Sequence, residues 1–297
     1  MYVLMGANGN ITSKTARLLL SAGEPVRVLG RNAAHLGPLK QAGAEVLVGG
    51  ALDPDFLTRA LTGASAVYTM IPPDYVSPDH RSYQRAVGEA ITQAIAKSGV
   101  KYAVNLSSVG AALPCGTGPI TGLHEQEQRM DKLAGVNVLH VRATYFLENH
   151  LHAIGLIKAL GVYPGMIAPN VPLAMVATQD IAAAVVRELT KPSFTGHTVR
   201  HLLGARDYTM SEVARVLGSA VGKPDLKYVQ SDPAQAKAGM VQSGFSQNVA
   251  DLFEEMSNAM SDGRIQATYR RDAASTTPTT LEQFAPTFAA AFNAGAR

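Results

Sequence analysis

The chain has no tryptophan, one cysteine and few aromatic residues, 6% of its 297 positions. The single cysteine, Cys115, excludes an internal disulfide and fits a reducing compartment. It lies in a glycine- and proline-rich stretch without a basic neighbour, which argues against an activated thiol. So few aromatics leave no stacking surface for single-stranded nucleic acid. Charge is scarce too: 16% of residues carry it, the formal net charge is +3, and no Lys/Arg cluster occurs. That excludes the electrostatic footprint of a nucleic-acid binder. No apolar run approaches the length of a membrane helix, and no basic leader precedes the short apolar segment at the N-terminus. His150 and His152, two apart, would point to different sides of a helix, so no metal site is expected. The expectation is a cytoplasmic protein with no nucleic-acid or membrane partner.

What is present begins with Tyr2-Val3-Leu4-Met5-Gly6-Ala7-Asn8-Gly9-Asn10-Ile11-Thr12. Four apolar residues run straight into two glycines three apart, and a helical pattern of Thr15, Ala16, Leu18, Leu19 and Leu20 follows at once. Strand, glycine turn and helix in that order open a dinucleotide-binding fold. A phosphate needs backbone N–H donors at a helix N-terminus, and a residue without a side chain lets the backbone come close. Gly6, Asn8, Gly9, Asn10 and Ile11 are therefore candidate cofactor contacts. The third small position, usually Gly or Ala, is here Thr12.

With 46% apolar residues and this length, one large α/β domain plus a smaller attached region is expected. Pro25–Leu29, Ala44–Val48, Ser65–Ile71, Tyr102–Ser108 and Val136–Val141 read as further strands, separated by helical segments. That alternation predicts an α/β fold with a doubly wound Rossmann parallel sheet. Asp53 before Pro54 reads as a helix cap. From about Leu151 the rhythm changes. Residues 151–177 and 206–297 are expected to form a smaller, mostly helical C-terminal substrate region, with 1–150 plus 178–205 as the dinucleotide-binding domain. Gln179-Asp180 is expected to cap a helix, and Thr209-x-x-Glu212 reads as a capping box.

Arg31 follows the second strand, about where the adenine ribose is met. An acidic residue there would favour NAD, whereas a guanidinium forks onto a 2′-phosphate. The cofactor expected is NADP(H), with Arg27 a weaker candidate for the same role. Met70, Ile71 and Pro72 close the fourth strand and are candidate cofactor wall, since ligands sit at carboxyl ends of strands.

Carbonyl reductases of the short-chain type use Tyr-x-x-x-Lys, in which the lysine lowers the tyrosine's pKa. The pair is absent from this chain. His124 and Gln128 have that spacing, and Gln128 brings no charge. Candidate catalytic residues are His124, Tyr145 and Ser107, the last also a cofactor contact. Ser108 and Asn149 are further polar groups near the strand ends, and Glu127 reads as a solvated helix carboxylate.

Gly6-x-x-Gly9, Arg31, His124-x-x-x-Gln128, Arg142-Ala143-Thr144-Tyr145-Phe146-Leu147-Glu148-Asn149 and Asp180-Ile181-Ala182 together resemble the NmrA-like group of atypical short-chain dehydrogenases/reductases. The resemblance covers most of the chain and is loosest past about Gly222. Within the group the chain is similar to the bacterial NAD(P)H:quinone oxidoreductase and triphenylmethane reductase branch, where His-x-x-x-Glu replaces Tyr-x-x-x-Lys. Gln128 departs from that pattern, and Ala143 stands where Pro is common. The resemblance implies an NADP(H)-dependent oxidoreductase that passes hydride to a quinone-like or other electron-poor aromatic acceptor. It implies as an alternative a non-catalytic NADP(H)-sensing regulatory protein. The partners expected are a small, aromatic substrate and, at most, a second copy of the chain in a homodimer.

Overall fold

A computed structural model of the chain describes residues 1–294. The N-terminal part runs β1 (Tyr2–Met5), α1 (Asn10–Ser21), β2 (Val26–Gly30), α2 (Ala33–Gln41), β3 (Glu45–Val48), α3 (Pro54–Leu61), β4 (Ala66–Thr69), α4 (His80–Ser98), β5 (Tyr102–Ser108), α5 (Ile120–Met130) and β6 (Asn137–Ala143). There follow β7 (Tyr145–Phe146), a 3-10 segment (Leu147–Ala153), α6 (Ile154–Leu160), β8 (Tyr163–Gly165), β9 (Leu173–Val176), α7 (Thr178–Thr190) and β10 (His197–Leu202). The C-terminal part adds β11 (Asp207–Tyr208), α8 (Met210–Ala220), β12 (Tyr228–Gln230), α9 (Pro233–Gln242), α10 (Gln247–Ser261), a short 3-10 turn and α11 (Leu281–Ala294).

Seven strands form a parallel sheet in the order β10-β6-β5-β4-β1-β2-β3. The winding reverses between β1 and β4, which makes their carboxyl ends the crevice of a doubly wound sheet. Helices cover both faces, so the strands are near-continuously apolar. Period-two alternation divides them. Leu4, Val28, Tyr68 and Val104 pack with α1, α2 and α7 on one side. Val3, Met5, Val67 and Ala103 pack with α3, α4 and α5 on the other. A third core gathers residues from 109 onward, including Phe284, Phe288 and Phe292 of α11. Two small sheets, β11-β9-β7 and β12-β8, belong to this C-terminal part.

Several elements follow from local chemistry as expected. Asp53 accepts from the amides of Asp55 and Phe56 at 3.0 and 2.9 Å and so caps α3. Thr209 caps α8 through the Glu212 amide at 3.1 Å, but the Glu212 carboxylate turns to Arg206 and leaves the box half closed. Helix α2 forms although Gly37 and Pro38 lie inside it, and Asn32 caps it by accepting from Ala34 N at 2.9 Å. One expectation fails. Asp180 does not cap α7: it accepts from Thr279 N and Oγ1 at 3.0 and 2.7 Å.

The carboxylate at the α7 N-terminus is Glu148, which accepts from Thr178 N at 3.0 Å and also from the Thr178 hydroxyl. Lys14 of α1 donates to the same carboxylate at 2.8 Å. A negative group at a helix start, paired with a lysine, joins α1, the 3-10 segment and α7. Glu148→Ala orphans a buried amide and should lower unfolding stability by about 1.5–3 kcal/mol. Lys14→Met should cost less, because the Lys14 side chain is 38% exposed and already shares its charge with water. Denaturant titration of the two variants checks the order.

His150 is fully buried in the third core. Its Nδ1 meets the Tyr163 hydroxyl at 2.6 Å, and burial pushes its pKa down to about 3. An unfolded histidine takes a proton near pH 6.5, and the folded one resists until about 3. Stability is therefore complete above pH 6.5 and falls as pH drops below it, because only the unfolded state binds the proton. His80 and His201, lowered mainly by burial, act with the same sign. Between pH 7.5 and 5.0, His150 alone should account for about 2 kcal/mol of lost stability. Denaturation midpoints of His150→Gln should show a correspondingly flatter pH dependence.

Candidate functional site

The chain leaves β1 through Gly6 at φ +73°, a left-handed conformation suited to glycine. A Cβ at Gly6 would meet Met70 Sδ at 2.9 Å, so the glycine turn lies directly against the end of β4. Gly9 donates to the Gly6 carbonyl at 2.8 Å and forms the N-cap of α1 without a side-chain cap. The amides of Asn10, Ile11 and Thr12 are thus presented at the helix start with no side chain across them, an anion site built from backbone. Asn10 is exposed, whereas the Ile11 side chain is buried in the core, which leaves Ile11 only its amide to offer. Thr12 explains the departure from a third glycine. Its buried hydroxyl donates to the Met5 carbonyl at 2.8 Å and fastens helix to strand.

Beyond β2, Arg31 is exposed. Its charge acts on Tyr83, whose hydroxyl donates to the Pro72 carbonyl at 3.0 Å. Tyr83 thus ties α4 to Pro72, next to Met70 and Ile71 at the end of β4. Arg27 is engaged elsewhere: its guanidinium donates to the Ala60 carbonyl at 2.7 Å and pairs with Glu45 at 3.0 Å. The structure adds His35, whose Nδ1 meets the Asn8 amide nitrogen at 3.2 Å. That bond ties the glycine turn to α2.

At the carboxyl ends of β5 and β6, Ser107 is buried and donates to Glu127 Oε1 at 2.5 Å. Glu127 also takes a guanidinium fork from Arg142, at 3.0 Å from Nε and 2.5 Å from Nη2. Glu127 is thus a buried, paired carboxylate and not a solvated one. A hydroxyl has one proton, and that of Ser107 is already committed; what it offers a ligand is lone pairs. Ser108 lies beside Ala143 in register.

His124 stands half-buried in α5, and its Nδ1 lies 2.8 Å from the Ala111 carbonyl. A carbonyl can only accept, so Nδ1 carries the proton and Nε2 faces away as the free nitrogen. Gln128, one turn on, is exposed. Tyr145 belongs to β7 and pairs in register with Met175, so it does not begin a helix. Its ring lies 5.3 Å from that of His150. Burial pushes Tyr145 up to about 12, which keeps it a neutral O–H donor at physiological pH. Asn149 lies in the 3-10 segment and is half-buried.

Cys115 is exposed. Among the described residues no group of three or more His, Cys, Asp or Glu side chains is placed to hold a metal, and no helix is long and apolar enough to cross a membrane.

The profile of the NmrA-like family matches residues 2–285. An NAD(P)H azoreductase from Xenophilus azovorans is 28% identical over 256 residues, 86% of each chain. A (4-alkanoyl-5-oxo-2,5-dihydrofuran-3-yl)methyl phosphate reductase from Streptomyces griseus is 31% identical over 225 residues, 73% of this chain and 74% of the relative. Among solved structures, the NADPH complex of the quinone oxidoreductase QOR2 from Escherichia coli superposes with a TM-score of 0.79 at 21% identity. That match covers 97% of this chain and 99% of the other. The chain belongs to the NmrA-like family.

Proposed function

We propose that the chain is an NADPH-dependent oxidoreductase whose acceptor is a quinone or another electron-poor aromatic. The observation that carries this reading is the uncapped start of α1, opened by Gly6 against Met70 at the point where the winding reverses, with Arg31 alongside. The residues fit the cofactor group by group. The amides of Asn10, Ile11 and Thr12 would hold the pyrophosphate. Arg31 would hold the 2′-phosphate. Met70, Ile71 and Pro72 would wall the cofactor, and Ser107 would accept an N–H with the lone pairs that Glu127 leaves it. Bound NADPH supplies the hydride, and with one proton from water a quinone leaves as the hydroquinone beside NADP⁺.

The polar groups suit such an acceptor. Tyr145, raised to about 12, donates a hydrogen bond but is a weak acid, and no lysine accompanies it. An isolated ketone would need a stronger proton source. A quinone spreads the incoming charge over its ring, so a hydrogen bond from the Tyr145 hydroxyl is enough, and His124 Nε2 accepts from the hydroxyl that forms once a quinone oxygen has taken its proton. The division into 1–150 with 178–205, against 151–177 with 206–297, is part of the same proposal. The first segments carry the cofactor contacts, and the second supply the opposite wall. The lone, exposed cysteine supports a cytoplasmic setting.

The test is calorimetry with NADPH and NADH, followed by turnover of a panel of quinones and dyes. Uptake of NADPH with no turnover across the panel would replace the reductase reading with a dinucleotide sensor. Arg31→Ala should weaken NADPH by about 1.5–3 kcal/mol and leave NADH nearly unchanged; equal losses would remove Arg31 from the 2′-phosphate. His124→Ala should lower kcat by about tenfold or more with NADPH affinity retained, as for the loss of a hydrogen bond stronger in the transition state.

A further inference from the structure

The chain has 10 Tyr, 8 Phe and no Trp, yet three of these rings meet at one place. Tyr75 stacks on Phe245 with centroids 4.9 Å apart and planes 26° apart. Phe253 meets both edge-on, at 6.1 Å from each. The rings come from two separate segments. Tyr75 lies in the loop that continues β4, four residues past the wall residue Ile71. Phe245 and Phe253 lie in the α9–α10 connection and in α10.

Hydrogen bonds sew the two segments together. Ser246 donates through its amide to the Tyr75 carbonyl at 2.9 Å and through its hydroxyl to the Ser77 carbonyl at 2.6 Å. Asn248 accepts from His80 N at 2.9 Å. At its other side α10 packs on the loop after β5: a Cβ at Gly118 would collide with the Leu252 carbonyl. Thus α10 bridges the loops that follow β4 and β5 and roofs the strand ends where the candidate site lies. The cluster is not sealed. Tyr75 remains 44% exposed and Val76 69% exposed, although one ring face of Tyr75 is already covered by Phe245.

We infer that Tyr75, Phe245 and Phe253 form a stacking subsite for the outer ring of a two-ring aromatic acceptor whose inner ring is reduced. The inference rests on the reductase reading for what happens to the inner ring, and on the roof geometry alone for the binding of the outer one. Two features of the cluster argue for a ring as its occupant. The rings already pack on one another, so a planar ligand that adds its own face has fewer free rotamers to fix. Tyr75 also follows residues 70–72 by three positions along the chain, so the exposed part of the cluster lies in the same loop that leaves the end of β4.

A matched pair of ligands tests this, in a Cys115→Ser background that removes the exposed thiol from quinone attack. Phenylhydroquinone and hydroquinone are titrated calorimetrically into NADP⁺-loaded protein, and phenyl-1,4-benzoquinone and 1,4-benzoquinone are compared as acceptors. Tyr75→Ala should weaken phenylhydroquinone and raise the KM of phenyl-1,4-benzoquinone by about two- to tenfold, with the one-ring partners changed less than twofold. Phe245→Leu, which keeps apolar volume but removes the stacked ring, should reproduce the effect with an unaltered thermal midpoint. Equal losses for one-ring and two-ring ligands, or no loss for either, would overturn the subsite. If neither quinone turns over but the hydroquinone pair still separates, the subsite stands and the reductase reading falls.

Discussion

The way the chain leaves its first strand constrains everything else. The Met5 carbonyl, the last of β1, is taken by the Thr12 hydroxyl at 2.8 Å, and Gly6 turns left-handed immediately after it. These two features set where α1 begins and how closely its start approaches β4. The strand is rigid because Val3 and Leu4 are fully buried on opposite faces of the sheet. The helix is held further along by Lys14, which reaches Glu148 and so the start of α7. The start of α1 is thereby fixed, and its first amides are kept free of side chains. Preorganised donors of this kind need no rearrangement when a phosphate arrives.

The chemistry around the strand ends is weak in acids. Tyr145 is pushed up by burial, Ser107 donates its one hydrogen bond to Glu127, and His124 has fixed one nitrogen on the Ala111 carbonyl. Each group is placed by a bond that uses part of its capacity. What remains is a set of oriented hydrogen-bonding positions and not a proton shuttle. A fold that supports strong acid–base work elsewhere is here compatible with acceptors that stabilise their own charge, and that links the missing Tyr-x-x-x-Lys to the aromatic roof.

The parts legible in the sequence are those determined locally. Four apolar residues, two glycines and a helical repeat gave β1, the turn and α1. Asp53-Pro54 gave α3, and the alternation of strands and helices gave the parallel sheet. The parts that were not legible depend on partners far away. Glu127 sits in a polar run, Glu125 to Gln128, and reads as solvated until Ser107 and Arg142, 20 and 15 residues back or on, are brought beneath it. Asp180 reads as a cap until Thr279, 99 residues on, takes it, and Glu148 supplies the charge at that helix start from a distant segment. Helix α2 carries Gly37 and Pro38 in its interior, so the place of His35 does not follow from propensity. Local propensity is a weak prior where tertiary contacts decide.

A polar row under the site shows how its precision is obtained. Thr69, Asn105 and His140 are aligned in register across β4, β5 and β6 and are all buried. Thr69 Oγ1 donates to Asn105 Oδ1 at 3.3 Å, Asn105 Nδ2 to His140 Nδ1 at 3.1 Å, and His140 Nε2 to Asp131 at 3.0 Å. Every donor in this chain runs the same way, so a single tautomer and amide orientation satisfies all of it. A slip of one residue would set these groups against apolar neighbours and orphan each at about 1–3 kcal/mol. Two residues further along the same strands, Ser107 faces Arg142 and both take Glu127. Asp131 caps the end of α5, so His140 anchors that helix at its C-terminus while Glu127 anchors its middle. The register that satisfies a buried polar row in the sheet is therefore the register that aims His124.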